Sequence, residues 1–158
     1  MNKAYMCFCD REKMQNLRHE GKECPCRSHK LEKNSEEWKN FLKGKYMKGE
    51  AVLRIKGDMK SQNHVMRDSV LFRAISAEHY RHGNKYKVWP TLELSWAVDD
   101  HLLKITHIVR GIDLQIETEM EKYIWDIFSW QHPEIIHTGF INIESEDAKM
   151  SKSKAQKE

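Results

Sequence analysis

The stretch that most constrains the fold runs from Ile105 to Ile143. Ile105-Thr106-His107-Ile108-Val109-Arg110-Gly111 is apolar and β-branched, reads as a buried-type strand, and stops abruptly at Arg-Gly. From Glu117 to Trp130, Met120, Tyr123, Ile124, Ile127 and Phe128 recur at i, i+3, i+4, i+7 and i+8, the stripe of an amphipathic helix. Pro133 prevents its continuation, and Ile135-Ile136-His137-Thr138-Gly139-Phe140-Ile141-Asn142-Ile143 reads as a second strand. Strand, helix and strand in this order predict a β-α-β unit with a right-handed crossover and a parallel pair of strands, so the chain is expected to be α/β.

Open α/β sheets bind their ligands outside the carboxyl ends of the strands. Arg110 stands at such an end, and its guanidinium is the side chain best shaped to hold a carboxylate with two hydrogen bonds. A structural acid such as Asp113 is the competing partner. The second strand leads into Ala148-Lys149-Met150-Ser151-Lys152-Ser153-Lys154. Taken alone this run reads as a solvated, lysine-rich tail. Leaving the carboxyl edge of a parallel sheet near Arg110, it reads as a phosphate-handling loop. Lys149 and Lys152 would supply positive charge where a polyphosphate becomes more negative, and the Ser151 and Ser153 hydroxyls would donate hydrogen bonds.

All four cysteines fall in residues 1–30, as Cys7-x-Cys9 and Cys24-x-Cys26. Asp10 is a good N-cap and Gly21 a good stop, so a short helix is expected between the pairs. Such a helix returns the chain on itself and can bring the pairs together at one tetrahedral zinc site. His19 and His29 are possible substitute ligands, and four unconnected thiols are the alternative. With four protein ligands the site would be structural, since no open position remains.

Asn34 to Gly44 reads as a further helix, with Asn34 and Glu37 as a capping box and Trp38, Phe41 and Leu42 on one apolar face. Glu50–Asp58 and Ser69–Ile75 read as strands, Arg81-His82-Gly83-Asn84 as a turn, and a helix starts just after Pro90. The polar stretch between the two strands carries Lys60, Asn63, His64 and Arg67, and a solvated face is favoured over an RNA-facing one. The 158 residues include five Trp, five Tyr and five Phe, too many aromatics for a disordered chain, and a net charge of +3 is compatible with RNA or phosphate ligands without requiring them. No segment approaches the ~20 apolar residues of a membrane span. No export signal is evident, so a cytoplasmic protein with reduced or metal-bound cysteines is expected.

Lys149-Met150-Ser151-Lys152-Ser153 is identical to the second signature motif of class I aminoacyl-tRNA synthetases. Trp89-Pro90-Thr91, Val98-Asp99-Asp100-His101 and Ile105-Thr106-His107-Ile108-Val109-Arg110-Gly111 resemble the catalytic core of the glutamyl and glutaminyl subfamily. So does Val65-Met66-Arg67-Asp68-Ser69-Val70-Leu71-Phe72-Arg73, with Ser69 where the subfamily has Pro, and the paired cysteines resemble the zinc-bearing region of glutamyl enzymes. The resemblance covers nearly the whole chain in the right order.

That resemblance implies the second half of a Rossmann-type catalytic domain plus an α+β acceptor-stem-binding insertion with a small zinc-binding segment. Residues 1–30 would be the zinc segment held by Cys7, Cys9, Cys24 and Cys26, residues 31–88 the insertion, and residues 89–158 the catalytic half. The implied activity is attachment of glutamate to tRNA through glutamyl-adenylate, with ATP and Mg2+. Lys149 and Lys152 would be the catalytic pair, and Lys149, Met150, Ser151, Lys152 and Ser153 would bind ATP. Arg110 stands where glutamyl enzymes keep an Arg that binds the glutamate substrate and glutaminyl enzymes a small uncharged residue. Implied partners are the tRNA acceptor stem, glutamate and ATP, with no membrane or DNA, and the chain is expected to be a monomer. Leu92 departs from the family in replacing a pocket tyrosine. No His-x-Gly-His occurs, so the first class I signature is absent, as is the anticodon-binding domain. The chain therefore reads as the central piece of a larger synthetase, expected to be inactive alone. A non-catalytic acceptor-stem-binding module and a glutaminyl-tRNA synthetase fragment are the alternatives.

Overall fold

In the computed structural model, which describes residues 2–139, two sheets of different character share one apolar core. Strands β1 (Ala4–Cys7), β2 (Val52–Ile55), β3 (Val70–Ala74) and β4 (Val88–Pro90) form an antiparallel sheet in that order. Helices α1 (Arg11–His19) and α2 (Leu31–Leu42) lie between β1 and β2 in sequence. After β4 come α3 (Leu92–Leu102), β5 (His107–Gly111), α4 (Gln115–Phe128) and β6 (Glu134–Thr138). Strands β5 and β6 pair in parallel from His107↔Glu134 to Gly111↔Thr138, so the expected β-α-β unit is present. The end of its second strand, beyond Gly139, and the lysine loop at 148–154 lie outside the described residues.

Helix α1 has the expected ends. The Asp10 carboxylate accepts from the Lys13 amide at 2.8 Å, satisfying a first-turn donor. Gly21 takes φ +65°, and the Lys22 amide reaches back to the Leu17 carbonyl at 2.8 Å. Helix α2 corrects the sequence reading: it starts at Leu31, and Asn34 is an interior residue rather than its cap. The buried Asn34 carboxamide accepts from the Met6 amide at 3.1 Å and donates to the His29 carbonyl at 3.1 Å. It tethers β1 to the cysteine segment, a long-range use that no local pattern encodes. Phe41 is fully buried and Trp38 packs edge-on to Phe72, but Leu42 is 51% exposed and is not core.

The main core joins Ile55, Val65 and Leu71 of the antiparallel part to Leu94, Ala97, Met120, Ile124 and Trp125. Trp125 is fully buried, and its indole N–H donates to the Ala97 carbonyl at 2.9 Å, fixing α4 on α3. The Tyr123 hydroxyl donates to the Lys56 carbonyl at 2.7 Å, and the Asn63 carboxamide donates to the Ile116 carbonyl at 2.8 Å and to Glu119 at 2.7 Å. Asn63 is therefore bound down on α4, while Lys60 and His64 are exposed, as expected of a solvated face. Arg67 is held by other elements: its guanidinium donates to the Ser61 carbonyl of its own loop and the Arg18 carbonyl of α1 at 2.7 and 3.0 Å.

The buried-strand expectation for Ile105–Gly111 also needs correction. Ile108 and Ile135 face the core, whereas Val109 is 66% and Ile136 45% exposed on the opposite face of the parallel pair. A parallel sheet is apolar on both faces because it is normally covered on both. Among the described residues only one face is covered.

Candidate functional site

The cysteines of the two pairs converge. Cys7 ends β1, Cys9 follows it, and Cys24 and Cys26 lie at and within a 3-10 turn, Pro25–Ser28, reached through α1. The Sγ atoms of Cys7 and Cys24 are 3.6 Å apart, those of Cys9 and Cys24 3.4 Å, and those of Cys9 and Cys26 4.0 Å, with all four within 4.8 Å of one another. A tetrahedral zinc–thiolate site, with Zn–S near 2.3 Å, has S···S edges of about 3.8 Å, so the donors fit in both kind and spacing. Neither His19 nor His29 belongs to the group. The hydrogen bond with Cys24 pulls the Cys7 thiol down to about 5, with the Arg54 guanidinium adding to the effect, while the same bond and burial push Cys24 up.

Asp68 ties this segment to the sheet. It is fully buried and adopts φ +47°. Its carboxylate accepts from the Tyr5 hydroxyl at 2.8 Å, from the Gly57 amide at 2.8 Å, and from the Arg27 guanidinium, whose residue follows Cys26 in the chain. Arg27 also donates to the Gly57 carbonyl at 3.1 Å. Burial, and then the adjacent Asp68 charge, push the Tyr5 hydroxyl up, which keeps it a donor.

Arg110 occupies the end of β5, as expected, but its partner is not Asp113. Its Nη1 and Nη2 donate to the two carboxylate oxygens of Glu121 at 2.8 and 2.7 Å. Glu121 is fully buried on α4, and the Arg110 side chain is 9% exposed, its guanidinium 5.5 Å from the Trp96 ring centroid. The hydrogen bonds to Glu121 raise Arg110, while burial raises the Glu121 carboxyl against the opposing pull of Arg110. Asp100, itself raised by burial, and Glu117 act on the same pair, and one Glu117 carboxylate oxygen is buried without a partner among the described residues. A guanidinium carries five N–H groups, so two bonds to Glu121 leave three donors for another group. The Glu121 role was missed in the sequence. The available signal was two carboxylates one turn apart, Glu117 and Glu121, beside the apolar stripe of α4.

A cavity of about 300 Å³ opens between Asp100, His101, Thr106 and His132. It lies at the amino ends of β5 and β6, the end opposite to Arg110, where open α/β sheets do not place their ligands. Lys149, Met150, Ser151, Lys152 and Ser153 lie outside the described residues.

Residues 1–158 match the family described as tRNA synthetases class I (E and Q), catalytic domain. A protein named glutamate–tRNA ligase from Archaeoglobus fulgidus is 44% identical over 158 residues, 100% of this chain and 28% of its own length. One of the same name from Methanosphaera stadtmanae is 44% identical over 153 residues, 97% of this chain and 26% of its own. The chain thus spans about a quarter of the length of the curated relatives it matches. Among solved structures, a glutamate tRNA ligase from Elizabethkingia meningosepticum, in complex with its amino acid, superposes with a TM-score of 0.59 at 22% identity, covering 99% of this chain and 33% of that one. At that identity the likeness speaks for the fold.

Proposed function

Since this chain belongs to the catalytic-domain family of the class I tRNA synthetases for glutamate and glutamine, we propose that it is part of a glutamate–tRNA ligase. The observation that carries this reading is the match along the whole chain to proteins of that name, at 44% identity. In the proposed reaction the glutamate α-carboxylate attacks the α-phosphorus of ATP, and pyrophosphate leaves. The terminal ribose hydroxyl of tRNA then takes the glutamyl group from the adenylate and AMP leaves.

Arg110 is the proposed anchor for the glutamate side-chain carboxylate. Glu121 fixes the plane of its guanidinium, and three N–H groups remain for the substrate. This supports glutamate over glutamine, because a carboxylate is held bidentately by a fork that is already oriented. Lys149 and Lys152 are the proposed phosphate contacts, which would stabilise the negative charge that develops on the polyphosphate as adenylate forms, a role Mg2+ would share, with Met150, Ser151 and Ser153 beside the nucleotide. Cys7, Cys9, Cys24 and Cys26 are proposed to hold a structural zinc, and residues 31–88 to face the tRNA acceptor stem.

A chimera tests the reading. Residues 1–158 replace the matching segment of the Archaeoglobus relative, and glutamate-dependent ATP–pyrophosphate exchange is measured with tRNA present. Exchange with glutamate and not glutamine, lost on Lys152→Ala, is expected. A folded chimera that binds tRNA without exchange would overturn the proposal in favour of a non-catalytic RNA-binding module.

A further inference from the structure

Beside the cysteine cluster, a recess of about 370 Å³ lies between helix α1 and the antiparallel sheet, and the proposed chemistry does not use it. Arg11, Gln15 and Arg18, at i, i+4 and i+7, line it from one face of α1. Cys7 and Cys9 line it at the end of β1, and Arg54 lines it from β2. Tyr5 pairs with Arg54 and Cys7 with Val52, so the Arg54 side chain shares the sheet face that carries the cysteine cluster. The register with β3 shifts between Leu53 and Arg54, an irregularity of the kind that re-aims a side chain. Gly49 borders the recess at φ +93°, and a Cβ there would meet nothing within 4 Å, which leaves that rim uncrowded.

The charge of the recess is one-sided. Among the described residues that line it there are three arginines and no acid. Arg54 is 8% exposed; its Nη1 donates to the Asp68 carbonyl at 3.0 Å, while its Nε is buried without a hydrogen-bond partner. Arg18 spends one N–H on the His64 carbonyl at 2.6 Å. Burial, and then the charges of Arg54 and Arg67, hold Arg18 below the usual arginine range, the mark of guanidiniums crowded together with too little negative charge among them. Asp68 answers only part of this, because its carboxylate already accepts from Arg27, the Tyr5 hydroxyl and the Gly57 amide. A zinc ion held by four thiolates would carry two negative charges, against the four positive charges of Arg11, Arg18, Arg54 and Arg67, so two remain for a ligand.

A buried guanidinium N–H without an acceptor costs free energy that a bound anion recovers. Guanidinium forks match the paired oxygens of a phosphate group, and arginine stays charged when partly buried. A phosphomonoester carries close to two negative charges near neutral pH and is blocked by an organic group on one side only. A diester carries one charge and is blocked on both sides, so it suits a walled recess poorly. We propose that the recess between α1 and β2 binds the phosphate group of a small phosphomonoester, held by Arg54 from the sheet and by Arg11 and Arg18 from the helix. Gln15, on the same face of α1, adds a neutral donor. The inference goes beyond the proposed ligase reading and does not rest on it.

The test is a calorimetric titration of the full 158-residue chain, loaded with zinc and freed of excess metal, with inorganic phosphate, methyl phosphate and dimethyl phosphate. Inorganic phosphate and methyl phosphate are expected to bind once per chain, and dimethyl phosphate about tenfold more weakly. Arg54→Met should weaken the first two by roughly ten- to hundredfold, with circular dichroism and zinc content checking that the variant keeps its fold and metal. Arg11→Ala alters an exposed side chain and should weaken them by about tenfold, so the test does not depend on how well the Arg54 variant folds. Absence of phosphate binding, binding unchanged by both variants, or equal binding of methyl and dimethyl phosphate would overturn the proposal. Binding that appears only after zinc is chelated would make the arginines counter-charges of the thiolates and overturn it. An RNA duplex that displaces methyl phosphate and itself loses affinity on Arg54→Met would give the arginines to a nucleic-acid backbone and overturn it as well.

Discussion

Arg110 and Glu121 close a two-bond ion pair across the β-α-β unit, from the carboxyl end of β5 to a carboxylate on α4 with no solvent exposure. Each member is tolerable there because of the other. A buried pair of this kind adds little net stability over an apolar pair, but removing one partner strands a charge.

Arg110→Met therefore strands Glu121 and is expected to cost about 3–5 kcal/mol near neutral pH. Burial already raises the Glu121 carboxyl, and without Arg110 it rises further. An acid whose folded value lies above its unfolded one stabilises the fold below the unfolded value and loses that contribution as pH climbs through the folded one. The Arg110→Met penalty should thus be smaller at mildly acidic than at mildly alkaline pH. Urea unfolding of both proteins on the two sides of neutrality checks this, and a penalty that grows on acidification would exclude a stranded carboxylate.

Asp68 gives a sharper contrast between two substitutions. It combines left-handed backbone with three donors: the Tyr5 hydroxyl, the Gly57 amide and the Arg27 guanidinium. Asn tolerates that backbone and can still accept. Asp68→Asn should cost about 1–3 kcal/mol, and Asp68→Ala, which strands Arg27 in addition, about 3–5 kcal/mol. Chemical denaturation of the pair measures the difference, and equal costs would mean that an amide oxygen recovers none of the contacts that the carboxylate makes.

What was legible in the sequence was local or periodic. Asp10 and Gly21 bound α1 because a cap and a left-handed stop act within one turn. The apolar stripe marked α4, although left-handed Ser129 and not Pro133 ends it, and the order of strand, helix and strand placed Arg110 at a parallel carboxyl edge. What was not legible depends on partners far along the chain. Asn34 has the residue type of a cap, yet its carboxamide goes to Met6, 28 positions away. Trp125 lies off the apolar stripe of α4 and is nevertheless fully buried, because α3 packs on that side and Ala97 offers its carbonyl. The partner of Arg110 was sought next to it in sequence, at Asp113, and lies on the following helix at Glu121 instead. The cysteine cluster was readable because two close pairs flanking one short helix leave few ways to arrange four sulfurs.

That cluster should bind one zinc ion per chain in native mass spectrometry. Cobalt substitution should give the intense visible bands of a tetrahedral thiolate site, because four soft donors at these separations suit no octahedral ion. Chelation should lower the melting temperature, and Cys24→Ser, which removes the sulfur nearest to both Cys7 and Cys9, should abolish the cobalt bands. A folded, metal-free protein whose melting temperature ignores both zinc and chelator would rule the site out.

Gly57 offers the most demanding steric test, because the obstacle is backbone. A Cβ at Gly57 would lie 1.9 Å from the Met66 carbonyl oxygen and 3.0 Å from its carbon. That carbonyl accepts from the Asp68 amide at 3.1 Å, so it cannot swing away without disturbing the residue that holds Tyr5 and Arg27. The Gly57 amide and carbonyl are themselves bonded to Asp68 and Arg27 at 2.8 and 3.1 Å, so Gly57 cannot retreat either. Gly57→Ala should therefore cost at least the ~1–3 kcal/mol of an overpacked core site, despite adding a single methyl group. It should also weaken zinc binding, since Arg27 links this corner to the Cys26 turn. Thermal melts and zinc competition titrations on the same variant measure the two effects together. A Gly57→Ala variant as stable as the parent would mean that the Gly57–Met66 approach is relieved by a movement small enough to leave Asp68 in place.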